Sequence, residues 1–352
     1  MFKIVDSLIK RYFSNEEAVV FLLLLVASIV ALVFLGDIFA PVIIAIVLAF
    51  LLQGGVSKLE DLGVSHLVSV LITFTVFSAS CTAFIGLMVP VIWRQAGRFL
   101  NDIPRMLGDI ELVVRNFSIE HPEYIRQESI DEVLGTLANE FANFGQWLLS
   151  FSLASIPSIL SLLIYLVLVP LVMFFLMKDQ KQIMSWFTAW LPLERAMMRS
   201  IASEMNAQIA NYIRGKFIEM LVVGIAIYIV FLVLGLRYAE LLALLVGLSV
   251  LIPYIGAVAV TIPVAMVAFY QYGAGSEFTY LLISYLVIQA LDGNILVPLL
   301  FSEAVNLHPL AIIVAVLFFG GVWGFWGVFF AIPLATLVKA IINAWPRESA
   351  TN

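Results

Sequence analysis

One carboxylate stands alone in a long apolar stretch. Asp292 lies in IQALDGNILVP, 15 residues after Glu277, or about 22 Å along a helix. That depth is inside a bilayer or near its cytoplasmic edge, where ionisable side chains are rare and point first to function. Such a carboxylate could bind a proton or a cation, or orient a polar solute. The alternative is an Asp that caps a helix end at a break. Asn294 adds amide hydrogen bonding, and Pro298 again denies the helix a backbone donor. An interrupted apolar segment lies on each side. LIPYIGAVAVTIP (251–263) contains Pro253, Tyr254, Gly256 and Pro263, and GGVWGFWG (320–327) contains Gly320, Gly321, Gly324 and Gly327, with Pro333 in the arm beyond. Non-helical backbone at membrane depth is tolerated only where protein or a water-filled cavity surrounds it. Paired Gly/Pro-interrupted segments are the sequence pointer to a transporter's binding site. The competing reading is that these glycines only allow close helix packing, since Gly320-x-x-x-Gly324 fits a small-residue contact.

The elements that must position these residues are membrane spans. The chain has 352 residues, of which 63% are hydrophobic and 12% charged, against about 25% charged in soluble domains; mean hydropathy is +1.08. Eight apolar runs cover 18–35, 38–52, 64–92, 151–177, 217–235, 241–270, 278–300 and 309–342; a helical span needs about 20 residues. The fold class is therefore an all-α polytopic membrane protein of about eight hydrophobic segments. The first run follows Lys3, Lys10 and Arg11 but leads directly into the second, and it reads as a retained helix rather than a signal peptide. Cys81 is the only cysteine, so no intrachain disulfide or thiolate cluster forms. The net charge of −6 is segregated along the chain and implies no nucleic-acid partner.

Two polar stretches divide the runs. Residues 93–150 carry five Arg and nine Asp or Glu; residues 178–216 carry six Lys or Arg and three acids. Positive-inside weighting places 178–216 and the N-terminus in the cytoplasm, and three spans then put 93–150 outside. The expected organisation is N-terminal spans (1–92), an extracytoplasmic helical insertion (93–150), a span (151–177), a cytoplasmic amphipathic segment (178–216) and a C-terminal transport region (217–352). Phe99, Ile103, Met106, Leu107, Ile110, Val113, Val114 and Phe117 recur at helical spacing, as do Ile130, Val133, Leu134, Leu137, Phe141, Phe144 and Trp147. A hairpin broken at His121-Pro122 follows, packed on itself or on neighbouring subunits, or acting as a gate. Trp186 and Trp190 sit where interfacial aromatics belong.

The broken runs are too long for straight spans. Residues 241–270 would extend about 45 Å as one helix, against a hydrocarbon core of roughly 30 Å. Each run is either a kinked, tilted helix or a re-entrant hairpin. Two hairpins bring Lys339 and Arg347 back to the cytoplasm; one alone leaves the C-terminus outside. Glu219 is three residues after Lys216 and suggests a snorkelling pair. Glu303 and His308, the latter before Pro309, fall in a connection.

Several chemistries lack their residues. No G-x-x-x-x-G-K-[ST] is present, no H-E-x-x-H, no G-x-S-x-G and no second deep aspartate. An enzyme is not expected, nor a metal or cofactor. A channel stays open, because glycine-rich re-entrant loops also build selectivity filters.

Three stretches together, LVGLSVLIPYIGAVAVTIP, IQALDGNILVPLLFSEAVNLHPLAI and FGGVWGFWGVFFAIPLATLVKA, resemble the AI-2E transporter family, formerly an uncharacterised permease family, and most of all its PerM-type permeases. RYFSNEEA and LVLVPLVMFFLMKD match that subgroup too. The resemblance implies a multi-pass bacterial inner-membrane protein with an extracytoplasmic insertion after the third segment, and a homo-oligomer such as a pentamer. It implies export of a small solute or signal molecule such as autoinducer-2, or Na⁺(Li⁺)/H⁺ antiport. Its Pro-x-x-Gly turn falls on Pro253–Gly256, its Asp element on Asp292–Pro298, its His-Pro on His308-Pro309 and its glycine-rich turn on Gly320–Gly327. The expected protein is a secondary permease with possible proton or cation coupling, its two turns meeting near the midplane. The alternatives are a Na⁺/H⁺ antiporter, a channel-like pore or an oligomeric scaffold.

Overall fold

The computed structural model describes residues 16–120, 135, 136, 139, 143, 156–301 and 307–345, with side chains at all of these except 16, 32, 33, 37, 117, 120 and 156–161. The first cations, His121-Pro122, all but four residues of the expected helix over Ile130–Trp147, Glu303 and Arg347 lie outside the described residues. The helices are α1 (Glu16–Asp61), α2 (His66–Glu120), α3 (Ile156–Lys178), α4 (Gln180–Ala189), α5 (Ala196–Val233), α6 (Ala239–Ser249), α7 (Ile255–Tyr272) and α8 (Ser276–Leu291). A π-turn (Asp292–Leu296) leads into α9 (Val297–Phe301), followed by α10 (Pro309–Phe329) and α11 (Ala331–Ala344). Among the described residues no strand occurs. An apolar chain in lipid must satisfy its backbone within each segment, and the helix does so. Among the described residues six helices are long and apolar enough to cross a membrane, or seven when α3 and α4, bent by 80° about Asp179, count as one span.

Two boundaries differ from the sequence expectation. The runs at 18–35 and 38–52 lie on one helix, α1, despite Gly36 and Asp37; an interior glycine costs only about 1 kcal/mol against alanine. The insertion does not start a new helix. α2 runs for 55 residues, about 83 Å, straight through Trp93-Arg94-Gln95. Polarity changes there, but Arg, Gln and Ala are good helix formers.

The chain forms two compact units. The first comprises 1–77, 165–217 and 300–352, and the second 78–164 and 218–299. In the first, Ala45, Val56 and Val70 pack with Met173 and Met177 of α3. Ile201 and Met205 of α5 pack with Ala340 of α11. His66 places Nδ1 2.7 Å from Glu60 Oε1 and Nε2 3.0 Å from the Lys178 carbonyl, which ties the α1–α2 link to the end of α3. α4 buries none of its residues, and Trp186 and Trp190 are exposed.

In the second unit the α2 stripe Phe99, Ile103 and Met106 is buried with Val223, Ile227 and Phe231 of α5, Leu242 and Val246 of α6, Val267 of α7 and Tyr285 of α8. The stripe therefore has partners within its own chain. The α5–α6 link is held to α2 as well. Tyr238 adopts a left-handed φ of 58° and donates from its hydroxyl to Asp102 Oδ2 at 2.5 Å. Burial, then the Asp102 carboxylate, pushes the Tyr238 phenol up to about 12, so it remains a donor at physiological pH.

Candidate functional site

The first broken segment is a hairpin. α6 ends at Ser249, residues 250–254 turn, and α7 begins at Ile255 and lies against α6. A kinked straight helix would not bring its two arms side by side, so this reading is set aside. The turn is tight for reasons visible in three residues. Pro253 has no amide to donate, and its carbonyl accepts the Ile255 N–H at 2.7 Å. Tyr254 stands at φ 62°, ψ −53°, outside the regions open to ordinary residues. A Cβ on Gly256 would overlap the Ser249 carbonyl oxygen, so only glycine fits. Pro263 lies within α7 without ending it. Nearby, Thr261 Oγ1 is 2.8 Å from the hydroxyl of fully buried Tyr285, which also accepts from Gln289 Nε2 at 3.0 Å.

The second broken segment folds back too. α10 is 21 residues long, enough for a span by length alone, yet Trp323 (φ −133°, ψ 15°) and Gly324 (φ 59°, ψ −136°) are non-helical within it. Beyond them the chain returns so closely that a Cβ on Gly327 would overlap the Phe319 carbonyl, and one on Gly320 would stand 2.8 Å from Val328 Cγ2. Gly321 meets nothing within 4 Å. α11 packs on α10, with Pro333 buried and its carbonyl accepting from Thr336 Oγ1 at 2.8 Å. His308 and Pro309 start the first arm: His308 Nδ1 accepts the Leu310 N–H at 3.2 Å, and Pro309 fills the first helical position. Both are ordinary helix-start chemistry.

Outside contacts hold this second turn within the first unit. Trp323 packs on Gly36, where a Cβ would come 2.6 Å from the indole Nε1. Buried Tyr212 donates from its hydroxyl to the Phe329 carbonyl at 2.8 Å, just before the α10–α11 break. Tyr212→Phe is expected to leave that carbonyl short of a partner and lower stability by about 1–2 kcal/mol. Thermal melts in detergent, compared with the parent chain, check it.

Asp292 is partly buried and is not an N-cap. It opens the π-turn between α8 and α9, and Val297 N–H reaches back five residues to its carbonyl. Pro298 explains the widening: a proline ring clashes with the carbonyl four residues before it, here that of Asn294, and cannot donate. The Asn294 side chain donates to the Ala290 carbonyl at 2.8 Å. Single π-turns inside α-helices cluster at functional sites. At the end of α9, Phe301 lies against Gly215, and the Lys216 ammonium is 5.4 Å from its ring centre. Lys216 and Glu219 are 6% and 2% exposed, which corrects the expectation of a snorkelling surface pair. Helix α5 is enclosed at this level, and Lys216 rests on an aromatic face.

The first hairpin and Asp292 belong to the second unit, and the glycine-rich hairpin belongs to the first. Gly36, Tyr212, Thr261, Tyr285 and Gln289 escaped the sequence reading. The four-residue spacing of Tyr285 and Gln289 in an apolar run was the one available signal. Among the described residues no group of three or more His, Cys, Asp or Glu could hold a metal ion.

These features define a class: a multi-pass α-helical membrane protein with two folded-back, broken segments and a carboxylate on a π-turn. Comparison with known sequences narrows it. The family profile of AI-2E family transporters matches residues 22–347. The chain is 46% identical over 337 residues to PerM of Escherichia coli (strain K12), named a candidate permease, covering 96% of each chain. It is 27% identical over 318 residues to YueF of Bacillus subtilis (strain 168), named a candidate transport protein, covering 88% of this chain and 84% of that one. The chain belongs to the AI-2E transporter family.

Proposed function

We propose that the protein is a secondary permease of the bacterial inner membrane that exports a small solute or signal molecule, with a proton or cation as coupling ion. In this reading the 178–216 segment faces the cytoplasm, and the chain works as a homo-oligomer. The observation that supports it most is that two separate segments fold back as hairpins, each closed by a glycine with no room for a Cβ. Each supplies a stretch of non-helical backbone, at Tyr254 and at Trp323-Gly324. Exposed amides and carbonyls of that kind persist at membrane depth only beside protein or water, and they are the groups that contact solutes in broken-helix transporters. Asp292 supplies the fixed charge, and movement of the hairpins alternates access.

Proteoliposomes test the reading. Saturable, solute-specific flux that responds to an imposed pH or Na⁺ gradient is expected. Flux without saturation would make the protein a pore, and no flux for any small solute would make it a scaffold. Tyr254→Cys and Gly321→Cys, each in a Cys81→Ala background, report on the turns. Both positions are exposed in the structure, and both are expected to react with a water-soluble maleimide. Complete protection of both in every condition would reduce the hairpins to packed structure.

A further inference from the structure

Three helix faces of the second unit close on an apolar groove of about 390 Å³, within the size range of small-molecule sites. α2 contributes Phe84, Met88 and Ile92 at a spacing of four. α5 contributes a stripe from Met220 to Tyr228, and α6 one from Glu240 to Leu248. The α6 stripe alone is about 12 Å long. Its floor is bare backbone where α5 crosses α6, since a Cβ on Gly247 would stand 3.2 Å from Gly224 Cα. Among the described residues of the lining, Glu240, in the first turn of α6, is the only charged one.

That carboxylate is held before any ligand arrives. Gln95 of α2 donates its amide to Glu240 Oε2, and the Gln95 carbonyl accepts the Leu241 N–H at 2.9 Å. The same side chain thus caps α6 and fixes the acid. A carboxylate offers about four acceptor positions, and Gln95 takes one. A slot with an apolar body and a preoriented anion at one end suits a ligand with a linear hydrocarbon chain and one cationic N–H donor. The described lining holds no Lys, Arg or His, so a phosphate or carboxylate head would face Glu240 with no counter-charge from it. This weighs against a phospholipid.

We propose that the groove binds a single-chain primary alkylammonium ion, its head on Glu240 and its chain along the Gly224–Gly247 crossing. This goes beyond the transport reading and is measured at equilibrium, so it stands or falls separately from flux. The test is calorimetric titration of the full chain in nanodiscs of zwitterionic lipid, with empty nanodiscs subtracted. The probes are n-octylammonium, n-octanol and n-octanoate. One saturable site per chain is expected for octylammonium, with octanol and octanoate at least tenfold weaker. Glu240→Gln is expected to weaken octylammonium at least tenfold and leave octanol unchanged. Leu244→Trp, which fills the groove from α6, is expected to abolish binding. Should either variant fail to fold, the ranking of the three probes on the parent chain decides. The proposal is overturned if octanol binds as tightly as octylammonium, which would make the groove a bed for an acyl chain. It is also overturned if octanoate binds best, if Glu240→Gln binds undiminished, or if nothing rises above the empty nanodiscs.

Discussion

Gly256→Ala and Gly327→Ala are each expected to destroy their hairpin. In both, the added methyl would overlap a backbone carbonyl oxygen, that of Ser249 or of Phe319. A side chain in the way can rotate, but a carbonyl moves only with its helix. Overpacking a well-packed site costs about 1–3 kcal/mol when side chains can shift; here the arms themselves must separate, and the expected loss is at the top of that range or above. Size-exclusion profiles and thermal melts should show little folded protein. Gly321→Ala is the control. It lies in the same glycine-rich run, meets nothing within 4 Å, and is expected to change stability by no more than about 0.5 kcal/mol, as for an ordinary exposed position. Equal tolerance of all three substitutions would remove the steric account of both turns.

Asp292→Asn is expected to abolish ion-coupled transport while the protein still inserts and folds. The amide keeps the size of the side chain and its place on the π-turn but removes the charge. A site that uses this charge in the transport step should lose at least about tenfold in coupled flux, some 1.4 kcal/mol. Its pH dependence should vanish with it if the proton is the coupled ion. Asn294→Ala, which removes the amide bonded to the Ala290 carbonyl, should have the smaller effect, because it touches the turn and leaves the charge. Flux measured at several pH values in proteoliposomes reads both. Full, still pH-dependent flux in Asp292→Asn would exclude Asp292 from the mechanism.

Much of the architecture is written in short-range terms. Long apolar runs with few charges force spanning helices, because lipid offers backbone groups no other partner. Prolines and glycines inside two of those runs mark where the helix cannot continue smoothly, and both turns occur there. The choice between a kink and a hairpin was not legible. It depends on whether the two arms attract each other more than they attract other helices, a competition among side chains distant in sequence. Leu242 and Val246 of α6 share one core with Val264 and Val267 of α7, and no local pattern encodes that pairing.

The carboxylates show the same division. Composition alone picks out Asp292, since it interrupts an apolar stretch. Glu240 looks unremarkable in the sequence, close to the polar residue Arg237 at a helix start. Only the packing of α2, α5 and α6 turns it into the charged end of an apolar groove. The sequence by itself determined the solvent, the helical class, the sites of the two breaks and the family. The tertiary structure decided which breaks fold back, which glycines are irreplaceable and which acids face enclosed space. Those properties depend on atoms brought close by the fold from positions scores of residues apart: Gln95 with Glu240, Gly36 with Trp323, Tyr212 with the Phe329 carbonyl.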